Sequence, residues 1–288
     1  MNEYDDIYEN QGNQLSKENY AAIKKAERDG LFALSDNMAT EVAGDSVKFQ
    51  QYLDVQSKFD RYSAVNSLLI LAQKPNATRI ADFEHWKSLG GFVKPGQSAI
   101  SILEPREYAK ENGAIGNGYN VKKVFDISQV DKVKTDPLTP YTERQILAAL
   151  ITKTPMKISG ADVLADDVGA MTDPQTGEIF VRKNMGFVDI FRSISQELGC
   201  YEVSKSVDKI LVNPFFAGYC TAYMLCKKYG VETKSFNFTN APEIFRNLTP
   251  PEIKAQLSVI RDAVNNIAGR MIKQLGTAQK SAKAQELR

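Results

Sequence analysis

At 288 residues the chain has room for two ordinary domains, and its 43% hydrophobic content supplies a sizeable core. Thirty-six Lys and Arg against 35 Asp and Glu leave a formal charge of +1. That balance excludes a molecule that attracts polyanions over its whole surface and confines any nucleic-acid contact to a local patch.

The opening "MNEYDDIYEN" is acidic and polar, unlike a secretory signal. The longest apolar runs, "LLILA" at 68–72 and "ILAALI" at 146–151, fall far short of the ~20 residues a membrane span needs, so no membrane partner is expected. Cys200, Cys220 and Cys226 form an odd set without C-x-x-C spacing, which argues for a reducing cytoplasm and against a disulfide framework or zinc ribbon. Cys220 and Cys226 read as small buried hydrophobes.

In chain order, residues 15–62 read as helix, with apolar positions at Phe49, Tyr52, Leu53, Val55 and Phe59, and "SAVNSLLILAQ" continues helically until "KPNAT" breaks it. "DFEHWKSLG" predicts a short helix after Asp82 that stops at Gly90. "FVKPGQSAISILEP" alternates like strands about a Pro-Gly turn, and "YNVKKVFDIS" alternates again, suggesting a small antiparallel sheet. Prolines and charge in "DKVKTDPLTP" set the domain boundary, giving a first domain over 1–133 and a second over 141–288.

In the second domain "GAMTDPQTGEIFVRKN" predicts a hairpin turning at "DPQTG". A long amphipathic stretch from Met185 follows, then a helix ending at Gly230. From Thr249 a long packing helix keeps Ile253, Leu257, Ile260, Val264, Ile267 and Met271 on one face, before a polar tail expected to be frayed. The fold class expected is α+β: a helix-rich first domain with a small antiparallel sheet, then a mainly helical domain with a short hairpin.

"SISQELGCYE" lies where a zinc peptidase carries its metal helix. In H-E-x-x-H, two imidazoles one turn apart bind zinc and the glutamate activates water. Here the string is Gln196, Glu197, Leu198, Gly199, Cys200, and the chain's only histidine, His85, lies in the other domain. An amide is a poor zinc donor, so Cys200 alone of the two remains able to ligate.

The order of hairpin, motif helix and later helix "AGYCTAYMLCKKYGVET" resembles the zincin-like metallopeptidase domain of ArdC-type antirestriction proteins of conjugative elements. The resemblance places Tyr219 where that family has a third, glutamate ligand. It is similarly close over residues 49–105, which resemble the family's single-stranded-DNA-binding domain through "YS..N", the tryptophan helix, "LGG.V" and "K.G". Together the matches cover roughly residues 45 to 245.

The residues themselves support a local patch: Lys58, Arg61, Lys74, Arg79, Lys87 and Lys94 outnumber Asp60, Asp82 and Glu84 by three between 58 and 94, with Tyr62, Phe83, Trp86 and Phe92 interleaved. Cations following phosphates and rings stacking on bases hold single strands without reading sequence. Lys58, Arg61, Tyr62, Asn66, Arg79, Trp86, Lys87 and Lys94 are the candidate contacts. Where the family has a charged Gly-Glu-Lys turn, this chain has Pro95, Gly96, Gln97 and Ser98, one cation fewer.

The expected function is a cytoplasmic single-stranded-DNA-binding protein of a mobile element, with Gln196, Glu197, Cys200 and Tyr219 vestigial and neither metal nor cofactor. Antirestriction is implied by the resemblance alone. The alternatives are a metallopeptidase with substituted ligands, and a noncatalytic module whose former catalytic groove receives a protein partner.

Overall fold

The computed structural model describes residues 3–109, 113–133, 140–205 and 212–286, with side chains over 19–276 of these. The fold is mixed α+β, as the sequence predicts. Two compact units divide the chain: Met1–Met38 with Leu68–Lys134, and Ala39–Ser67 with Thr135–Arg288. The units are interleaved in sequence rather than consecutive. Helix α1 (Glu3–Gly44) and helix α3 (Ala64–Gln73) each run across a unit boundary.

In the first unit a long antiparallel ribbon pairs β3 (Ile100–Ala109) with β4 (Ile115–Asp126), from Ile100 opposite Val124 to Ala109 opposite Ile115. Strand β1 (Ile80–Ala81) adds to the other edge of β4 at Asp126 and Phe125. Helix α4 (Phe83–Ser88) starts where the Asp82 carboxylate accepts the His85 N–H and ends before Gly90, whose φ of 74° glycine adopts without steric cost. The strand of Phe92–Val93, β2, does not fold back across the Pro-Gly turn as the alternation suggested. It pairs with β5 (Val130–Asp131), Phe92 opposite Asp131, because Lys94 N–H donates to Gln129 C=O just beyond.

The second unit includes helix α2 (Ser46–Lys58), which the sequence reading grouped with the first 133 residues. Its apolar face explains the difference: the Phe49 ring lies 5.3 to 5.7 Å from those of Phe216, Phe238 and Phe245. Asp54 also accepts the Tyr223 hydroxyl at 2.7 Å and pairs with Lys227 at 2.9 Å.

Helix α5 (Glu143–Ile151) is opened by a Thr142–Gln145 capping box. The hairpin of β7 (Ala170–Thr172) and β8 (Ile179–Arg182) turns at residues 173–177 as predicted, and β6 (Ile158–Ala161) joins β8 in parallel, giving the order β6-β8-β7.

Helix α6 (Phe187–Ser204) packs against α7 (Pro214–Tyr229), which has an Asn213 cap, a first-turn proline and a left-handed Gly230 stop. After the short helix α8 (Ala241–Ile244) comes α9 (Pro250–Glu286), whose six predicted apolar positions are all buried. Its backbone stays helical to Glu286, beyond the expected fraying point. Among the described residues no helix is long and apolar enough to cross a membrane.

Candidate functional sites

The eight candidate nucleic-acid contacts divide between the units. In the first, Arg79 and Lys87 are exposed and Lys94 is half-buried, its Nζ 3.1 Å from Ser128 C=O and 3.6 Å from Asp131. Trp86 requires correction: it is 0% exposed, and its indole N–H donates to Phe125 C=O at 2.9 Å. Helix α4 turns it inward onto the sheet, and the Arg79 guanidinium sits 5.4 Å from its ring. No ring face is left for a base.

Among its neighbours in sequence, the rings that reach solvent are Phe83 at 49% and Phe92 at 57% exposure. Phe83 and Lys87 are one turn apart on α4 and share a face. Phe92 carries Lys132 with its Nζ 6.0 Å from the ring centroid. Lys132 adopts a φ of 60°, sparsely populated for a side-chain-bearing residue. Lys132 escaped the sequence reading because it lies forty residues downstream and meets Phe92 through the β2–β5 pairing. The available signal was the exposure of aromatics beside the tryptophan, which periodicity on a six-residue helix cannot resolve.

In the second unit Lys58 and Arg61 are exposed. Tyr62 is half-buried with its ring edge-on to Phe59. Asn66 is 7% exposed, so little of this candidate contact reaches solvent.

The groove of the second unit holds about 920 Å3 and is lined by Gln196 and Glu197 of α6, Tyr219 and Phe215 of α7, Met171 of β7 and Arg182 of β8, among others. None of the four positions that the resemblance aligns with a metal site is poised as a ligand. The Glu197 carboxylate accepts Thr172 N–H at 3.0 Å and Thr172 Oγ1–H at 2.7 Å. The Cys200 sulfur lies against α7 where Gly218 has no side chain, and a Cβ there would overlap it. Burial, reinforced by the Glu197 charge, pushes its thiol up to about 12, the reverse of what a thiolate ligand needs.

The Tyr219 hydroxyl accepts Asn237 N–H at 2.8 Å while its ring packs on Phe236. Gln196 offers a neutral amide. Among the described residues no three His, Cys, Asp or Glu side chains converge as a metal set. The residues present do not fit zinc.

These features define an α+β protein with exposed aromatic and cationic side chains on one unit and, on the other, a groove between packed helices that lacks a zinc donor set among the described residues. Residues 37–138 match the family described as the N-terminal domain of anti-restriction factor ArdC. Two crystal structures of the antirestriction ArdC protein from the R388 plasmid are similar to it. The metal-free one is 14% identical at TM-score 0.49, covering 75% of this chain and 86% of that one. The Mn(II)-bound one is 15% identical at TM-score 0.49, covering 76% and 97%. No curated protein matches the chain.

Proposed function

We propose that this ArdC-like chain binds single-stranded DNA through its first unit and keeps its second unit as a noncatalytic scaffold. The observation that carries the reading is the pair of half-exposed rings, Phe83 and Phe92, set beside Lys87 and Lys132 within the region matched by the ArdC family. Flat rings accept any base and lysines neutralise phosphates, which suits a ligand held without sequence preference. Protection of incoming DNA from restriction and a cytoplasmic location are part of the same proposal.

The test is a salt titration of labelled oligonucleotide anisotropy: the logarithm of affinity should fall with that of salt at a slope near ~0.7 per neutralised phosphate. No binding at low salt removes the reading. For the scaffold half, elemental analysis should find less than about a tenth of an equivalent of transition metal, with no gain on adding zinc.

A second reading is favoured by the exposed Met171 and Phe215 at the groove, which would suit a protein partner seated there. It predicts a co-purifying protein and indifference to DNA.

A further inference from the structure

We infer that Glu197 is the seal of the sheet's open edge, a structural use of the side chain that in a zinc peptidase would activate water. The inference does not rest on the nucleic-acid reading. Strand β7 is terminal in the order β6-β8-β7. Asp173 N–H donates to Glu178 C=O and Arg182 N–H to Gly169 C=O, so these alternate peptides face β8. The intervening Thr172 N–H therefore points away from the sheet, where an unpaired donor is a template for strand addition by another chain.

Glu197 meets that donor directly, and the Thr172 hydroxyl donates to the same Oε2. Two donors converge on one carboxylate oxygen in a side chain of 9% exposure, where little water competes. The helix can lie this close to the strand because Gly169, the residue just before β7, leaves room for Ser193, one turn before Glu197; a Cβ on Gly169 would overlap the Ser193 hydroxyl. Gly169 before the strand and Thr172 at its end thus match Ser193 and Glu197 on the helix. A charged group turned onto a sheet edge is one of the ways proteins blunt such edges.

Amide hydrogen exchange on the full chain tests this. In Glu197→Ala the Thr172 N–H should exchange about tenfold or more faster, while Asp173 N–H, bonded within the hairpin, stays within about twofold. Glu197→Asp, which keeps the charge but withdraws it by one methylene, should show the same selective loss, and serves if the alanine variant does not fold. Glu197→Gln, whose amide oxygen still accepts, should keep protection within about threefold. At equal concentration, sedimentation should show more self-association for Glu197→Ala or Glu197→Asp than for the native chain. Unchanged Thr172 exchange in Glu197→Asp overturns the proposal, as does stoichiometric zinc binding by the native chain that Glu197→Gln abolishes.

Discussion

The indole N–H of Trp86 donates to the carbonyl of Phe125 at 2.9 Å, fastening the short helix α4 to the long ribbon strand β4. The chain's only tryptophan is thus a core residue whose fluorescence reports folding of the first unit. Trp86→Phe leaves Phe125 C=O short of that donor and a void beside it, and should cost about 2–3 kcal/mol in urea denaturation. Oligonucleotide affinity of the variant, measured where it is folded, should stay within about twofold of the native value. A tenfold loss without loss of stability would return Trp86 to the binding surface.

Phe92→Ala and Phe83→Ala should behave in the opposite way. Each ring is half-exposed, so stability should change by no more than about 0.5 kcal/mol, while single-strand affinity should weaken by about 1–3 kcal/mol per stacked base. Lys132→Ala should lower the salt slope by about 0.7. Anisotropy titrations at several salt concentrations separate the two effects. Equal affinity in all three variants would argue against this surface.

Asp126 sets an acid limit on the first unit. It is buried, and its Oδ1 accepts Thr78 N–H at 2.7 Å and Arg79 N–H at 3.0 Å while Oδ2 accepts Ser128 N–H at 3.0 Å. Burial pushes its pKa up, but these hydrogen bonds outweigh it and hold the carboxyl below its ordinary value. A folded pKa below the unfolded one gives stability that is complete above the unfolded value of about 4 and lost as pH falls through the folded value. Asp126→Asn should cost about 2–3 kcal/mol near neutrality, because its amide cannot satisfy all three donors, and should flatten the acid limb of urea midpoint against pH. An unchanged acid limb would show that another group governs it.

Gly218 and Gly199 set how closely α6 and α7 approach. A Cβ on Gly218 would lie 2.8 Å from Gln196 C=O and 2.9 Å from Cys200 N, backbone atoms that cannot rotate away. Gly218→Ala should therefore cost about 3 kcal/mol by thermal or urea unfolding. Cys200→Ala in the same background should recover only part of this, since it relieves the sulfur and leaves the backbone clash. Full recovery would mean that the sulfur alone sets the spacing.

Local chemistry was the most legible part of the chain. Asp82 and Gly90 bracket α4, Asn213, Pro214 and Gly230 bracket α7, and the turn at residues 173–177 folds the hairpin, because each signal acts within a few residues. Partners were harder to read. The periodicity of Phe49, Tyr52 and Leu53 showed a buried face but not that the Phe49 ring meets Phe216, Phe238 and Phe245, far along the chain in the second unit. Strand β6 escaped because "ISGA" has neither alternation nor β-branched bulk beyond Ile158, and only its parallel neighbour β8 makes it a strand. At the candidate surface, composition could not tell Trp86, which is buried, from Phe92, which reaches solvent, since which ring turns outward is decided by the sheet beneath.

The interleaving of the two units bears on how such a chain can be inherited. Cutting at the proline-rich segment near residue 133 would give a front half still carrying α2, stripped of Tyr223 and the phenylalanines that cover it, and a back half with a matching hole. Neither piece would travel well as a cassette, so recombination should preserve the pair together and let divergence proceed by point substitution within each.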